Sequence, residues 1–238
     1  AGVHVATALA IGQATGDDAV RARAMVVRGM LAQAAGDLGG AATLYRDAAA
    51  VARHGGDGHC AAVALQNHAA ALAERGLHGA ALPALATAIA ELGALGKVAE
   101  LAAVEANRAV SLVACGQLDS AEVAATRAAA RAAAAGLPVP GFYAALVHGD
   151  IARRRGDLAA AAARYRAAWA QAEAAGLPDR AHAQRALAEV APDAATATAA
   201  LAAAAALDRD DDDRARTTLS RGRVARAGHP DAPLPPLI

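Results

Sequence analysis

Few residues in this chain of 238 have the type and spacing to do chemistry. His54, Asp57, His59 and Cys60 crowd one short stretch, but their spacing matches no established zinc pattern, and they read as an inter-helix loop. The acidic run from Asp208 to Asp213 lacks the glycine and distal glutamate of a calcium loop, and reads as a solvated turn with an N-cap. His148 and Asp150 lie two apart, so on a helix they do not face each other and make no catalytic dyad. Phosphate-cradling loops and nucleophile elbows are absent from the sequence. The reading is a non-enzyme with no metal and no cofactor. Recognition chemistry is what remains. Asn67 and Asn107 carry carboxamides that both donate and accept hydrogen bonds. Arg153-Arg154-Arg155 could grip a carboxylate, but reads first as cations complementing the C-terminus of a helix.

Composition narrows the classes. The 23 basic residues are balanced by 23 acidic ones, which argues against a general nucleic-acid binder. An apolar fraction of 56% is too high for a disordered chain. Alanine supplies 80 residues, yet runs such as 199–207 are too short and too weakly apolar to span a bilayer. Two cysteines make no disulfide framework, and Cys60 and Cys115 read as free thiols in a reducing cytoplasm. The chain opens at Ala1 with no initiator Met and no signal-peptide pattern. The expectation is a cytoplasmic fragment of a larger protein, from a source whose arginine and alanine bias reads as bacterial.

The elements that would position these residues come from an internal period. Glycines recur every 40 residues at Gly16, Gly56, Gly96, Gly136 and Gly176, and again at Gly36, Gly76, Gly116 and Gly156, offset by 20. Gly29 and Gly149 share one lattice position, and Tyr45 and Tyr165 another. Ala41, Ala81, Ala121 and Ala161 repeat, as do Ala48, Ala88, Ala128 and Ala168. Segments between glycines are rich in good helix formers and long enough for about four turns. Each ladder glycine suits the left-handed residue that ends a helix. Asp17, Asp37, Asp57, Asp157 and Asp179 suit N-caps, and Pro83 is expected in the first turn of its helix. Gly29 and Gly149 are expected at close helix crossings, with Tyr45 and Tyr165 filling the wedge beside them. This pattern predicts an all-α chain of about 11–12 helices, paired antiparallel and stacked in series.

The runs Gly29-x6-Gly36-Asp37-Leu38-x2-Ala41-x3-Tyr45-x2-Ala48 and Gly149-x6-Gly156-Asp157-Leu158-x2-Ala161-x3-Tyr165-x2-Ala168 resemble the tetratricopeptide repeat (TPR). The 40-residue length is similar to the variant in kinesin light chains, Pins-type polarity adaptors and helical regions of large bacterial regulators. HEAT-like arrays of similar length lack the Gly-Asp-Leu-x2-Ala turn. The middle repeats depart from the pattern, with Ala69 and Ala109 for the first glycine and Leu85 and Ala125 for the aromatic. The resemblance implies a right-handed α-solenoid that binds a peptide or protein segment on its concave face. On the first-helix face it places Arg23, Val26, Val27, Met30 and Gln33, then Val63, Gln66, Asn67, Ala70 and Glu74. Ala103, Ala106, Asn107 and Val110 follow, then Tyr143, Leu146, Val147, Asp150, Arg153 and Arg154. It also implies that Asn67 and Asn107 hold an extended peptide backbone; the competing view has them capping or bridging neighbouring helices.

The expected organisation is one solenoid domain. Residues 1–17 form the second helix of a truncated repeat. Four repeats follow over 18–56, 57–96, 97–136 and 137–176, then a degenerate fifth over 177–208, a terminal helix over 209–229 and a proline-rich tail over 230–238. The expected function is a non-catalytic protein-interaction module, with no membrane or nucleic-acid partner. Its exposed end helices are a candidate surface for self-association. The alternative is an effector- or signal-sensing segment of a larger bacterial transcription regulator or signalling ATPase.

Overall fold

The computed structural model describes residues 2–208 and 211–228. Among the described residues there are twelve α-helices and no strand. They are α1 (Gly2–Thr15), α2 (Asp18–Ala34), α3 (Leu38–His54), α4 (Gly58–Glu74), α5 (His78–Ala94) and α6 (Val98–Ala114). Then come α7 (Leu118–Ala135), α8 (Pro138–Arg154), α9 (Leu158–Ala174), a 3-10 turn (Pro178–Arg180), α10 (Ala181–Glu189), α11 (Ala194–Ala205) and α12 (Asp211–Gly228). From α2 to α9 a new helix starts every 20 residues, half the sequence period. The expected proline-rich tail over 230–238 lies outside the described residues.

The glycine lattice is the lattice of helix ends. All nine ladder glycines sit at φ between 61° and 86°, and no other described residue has positive φ. A side chain there would be strained, so glycine ends each helix cheaply. The turn after α2 shows the mechanism. The Gly36 N–H donates to the Gln33 carbonyl and the Asp37 N–H to the Ala32 carbonyl, both at 2.9 Å. The Asp37 carboxylate then accepts from the Gly40 N–H at 2.8 Å and starts α3. One short turn closes one helix and opens the next. Asp17, Asp57 and Asp157 repeat the cap at α2, α4 and α9.

Two local expectations need correction. Asp179 does not occupy an N-cap position: Leu177 is extended before Pro178, the chain enters a 3-10 turn that includes Asp179, and Asp179 accepts the Tyr143 hydroxyl at 2.9 Å. The cap of α11 is Asp193, which accepts from the Thr196 N–H at 2.7 Å. Pro83 lies inside α5, beyond its first turn, because the glycine at 76 sets the start of the helix regardless of the proline. It therefore removes one backbone donor from the helix interior.

The helices sort into two compact units, residues 1–135 with α1–α7 and residues 136–238 with α8–α12. In the first, each helix packs on the next in sequence, and α4 also touches both α2 and α6. Alanines 41, 48, 61, 64, 81 and 88 are fully buried where helices meet, with Tyr45, Leu85, Leu92 and Val104 as the larger fillers. Small side chains let helix axes approach closely. In the second unit Phe142, Tyr165, Ala168 and Ala172 are buried, with Trp169 partly buried against them. Gly29 and Gly149 sit at close crossings as expected. A Cβ on Gly29 would lie 2.6 Å from Cε1 of Tyr45, and one on Gly149 would strike the Tyr165 ring in the same way.

Candidate functional site

In the first unit the face formed by α2, α4 and α6 carries most of the predicted residues. Several of them bind one another. Arg23 Nη2 donates to Asp57 Oδ2 at 2.9 Å, joining α2 to the start of α4. The Asp57 carboxyl is held below its usual range, first by the Cys60 N–H it caps and then by the Arg23 guanidinium. Further along the same pair of helices, Gln33 Nε2 donates to Glu74 Oε1 at 2.6 Å, and Gln33 Oε1 accepts the Tyr45 hydroxyl at 3.0 Å. Such exposed pairs add little stability, but they tie one helix pair to the next.

Between these ties the face is different. Asn67 and Asn107 are half-buried on α4 and α6, and neither carboxamide has a hydrogen-bond partner among the described residues. The same is true of Gln66. Exposed apolar side chains lie on the same helices α2 and α6: Met30 is 55% exposed, Val27 43% and Val110 36%. A cleft of about 280 Å³ runs between α2 and α4, lined by Arg23, Val26, Val27, His59, Cys60 and Val63. A second, of about 340 Å³, is lined by His4, Ala8, Val20, Arg23, Ala24 and Val27. Sequence reasoning placed neither His59 nor Cys60 on this face. Their signal was present, since Cys60, Val63 and Asn67 fall at helical spacings of three and four. Burial raises the Cys60 thiol above its ordinary range.

The four residues around the suspected metal stretch are used in structure. His54 Nδ1 pairs with Asp18 at 2.5 Å, His59 lies 3.3 Å from Glu100, and Asp57 serves the cap described above. Among the described residues no three His, Cys, Asp or Glu gather as a metal site.

In the second unit the predicted residues are drawn into packing. Asp150 accepts the Tyr165 hydroxyl at 2.6 Å, and Arg153 lies 3.4 Å from the same carboxylate oxygen. Burial, and then Asp150, push the Tyr165 hydroxyl well above its ordinary range. Tyr143 is tied to Asp179. Val147, equivalent to Asn67 and Asn107 by the 40-residue period, is buried. Arg154 ends α8, exposed, with no polar partner among the described residues.

Of the acidic run, the two described carboxylates are not solvated, and the side chains between them lie outside the described residues. Asp208 and Asp213 expose only 4% and 11% of their side chains, against Arg185. A cation buried on α10 draws them in, which the spacing of the run does not reveal.

No family model matches the chain, and no curated protein matches it. Solved structures do. A crystal structure of a point variant of a putative kinesin light chain from Podosopora anserina, with nearly identical TPR-like repeats, is 18% identical with a TM-score of 0.58. The match covers 79% of this chain and 94% of that one. A second structure of that putative kinesin light chain is 16% identical, with a TM-score of 0.54, over 87% of this chain and 97% of the other. This chain has a TPR-like repeat fold. The TPR-like turn is the Gly-Asp connection seen after α2 and α8. Among the described residues no helix is long and apolar enough to cross a membrane.

Proposed function

We propose that the first unit is a non-catalytic protein-interaction module that takes an extended polypeptide segment across α2, α4 and α6. The observation that carries this reading is the pair of unpartnered carboxamides at Asn67 and Asn107, on equivalent positions of adjacent first helices. A carboxamide can pair with a peptide N–H and C=O whatever side chain that peptide bears. Exposed Val27, Met30 and Val110 offer apolar contact beside it. On this face Arg23 is engaged by Asp57, and Glu74 keeps its charge against the neutral Gln33. An acidic segment would have to break the first pair and meet the second carboxylate, which favours an uncharged segment.

The test is a displayed library of random peptides, enriched on the whole chain and then titrated one by one. Replacing both asparagines by alanine removes up to four hydrogen bonds to a bound backbone. Selected peptides should bind about 10-fold or more weakly to Asn67→Ala/Asn107→Ala. The thermal midpoint should be unchanged, because neither side chain bonds within the fold. Equal affinity for the double variant overturns the assignment, and so does a selection dominated by acidic peptides.

A further inference from the structure

The helices of the first unit dock through alanine, leucine and tyrosine side chains. The terminal helix α12 packs on α10 and α11, and toward α10 it docks through polar ones. Asp213, Thr217 and Ser220 follow one another at spacings of four and three, form a single helical stripe, and are buried. The large apolar side chain Leu219 stays exposed. This stripe meets one face of α10. Arg185, only 5% exposed, donates through Nη1 to Asp208 at 3.3 Å and to Thr217 at 3.4 Å, and through Nη2 to Asp213 at 3.5 Å. The Thr217 hydroxyl donates to Asp208 at 3.0 Å. One turn further along α10, Glu189 accepts from Ser220 at 3.3 Å and from Arg223 at 2.6 Å. One turn back, Arg216 Nη1 donates to His182 Nε2 at 3.1 Å.

Apolar packing tolerates small slips, whereas an ionic contact needs one register. It also adds little net stability, because desolvating the three charges offsets most of their attraction. A helix held this way lies at the low end of local stability in its unit. We infer that α12 is a latched end helix. The Arg185 guanidinium holds it between Asp208 and Asp213, and it opens as a unit while α8–α11 stay folded. Opening uncovers His182, Arg185 and Glu189 on α10, a polar face distinct from the one proposed above for a polypeptide partner.

Amide hydrogen exchange on the full chain tests the latch. In the wild type, α12 amides should exchange at least about 10-fold faster than the slowest amides of α8 and α9. Arg185→Met takes the shared cation from two buried carboxylates and should speed exchange in α12 about 100-fold while leaving α8 and α9 unchanged. The milder Asp213→Asn should shift α12 alone in the same direction. The apolar set R185M/D208A/D213L should restore α12 to wild-type exchange or slower. The inference is overturned if α12 and α8–α9 exchange together in the wild type. It is equally overturned if Arg185→Met leaves α12 unchanged, or if Asp213→Asn accelerates every helix of the unit alike.

Discussion

A tyrosine ring fills the space of a missing methyl group at Gly29, and again at Gly149. The middle repeats replace the glycine by Ala69 and Ala109, and the same repeats replace the tyrosine by Leu85 and Ala125. The departures from the repeat pattern are therefore paired, a larger crossing residue going with a smaller filler. Gly29→Ala alone should cost about 1–3 kcal/mol, the usual range for overpacking, in urea denaturation. Adding Tyr45→Leu, which copies the second repeat, should recover part of that loss; a purely additive double variant would contradict the pairing. A second compensation involves charge. Glu105 is 3% exposed and bonds Arg131, where the lattice puts Met25 and Val51 in the first repeat. Removing Arg131 alone should destabilise by about 3 kcal/mol, because the carboxylate stays buried. The pair E105L/R131V should be neutral or stabilising in the same assay.

At the scale of the helix, what the sequence makes legible is punctuation. Nine glycines and four of the aspartates following them mark helix ends to within a residue or two, because a left-handed turn and an N-cap are local devices. Features that depend on distant partners were harder to read. Asp179 matches a cap by position, but its carboxylate serves Tyr143 on another helix. Asp208 and Asp213 look solvated until Arg185 of α10 is placed beside them. The helices without a side-chain cap, such as α5 behind Leu77, offer the complementary experiment. Asp37→Ala should lower stability by about 1 kcal/mol, and Leu77→Asp should raise it by a similar amount. Both are read from thermal unfolding. Leu77 is 43% exposed, so little apolar burial is lost with it.

At the scale of the whole chain, the glycine lattice runs through Gly136 without a break, so nothing in the spacing marks the division at residue 135. The units differ in chemistry, and acid should separate them. His182, in the second unit, is buried beside Arg185 and Arg216, with Asp179 and Asp213 opposing their effect. Burial first, and then the two cations, lower its pKa to about 4. An unfolded histidine titrates near about 6.5, so between these values the unfolded state binds the extra proton. The second unit should hold its full stability above about pH 6.5 and lose part of it progressively toward about pH 4. In the first unit the lowered carboxyl of Asp57 works at a lower pH: its contribution persists above the ordinary carboxylate range and is lost as pH falls through its depressed value. Trp169 is the chain's only tryptophan and packs in the core of the second unit, so its fluorescence in urea reports that unit. Its midpoint should fall between about pH 6.5 and about pH 4.5, and His182→Gln, which can still accept from Arg216, should flatten that fall. An unchanged slope in the glutamine variant would assign the acid sensitivity to the carboxylates and remove His182 from the account.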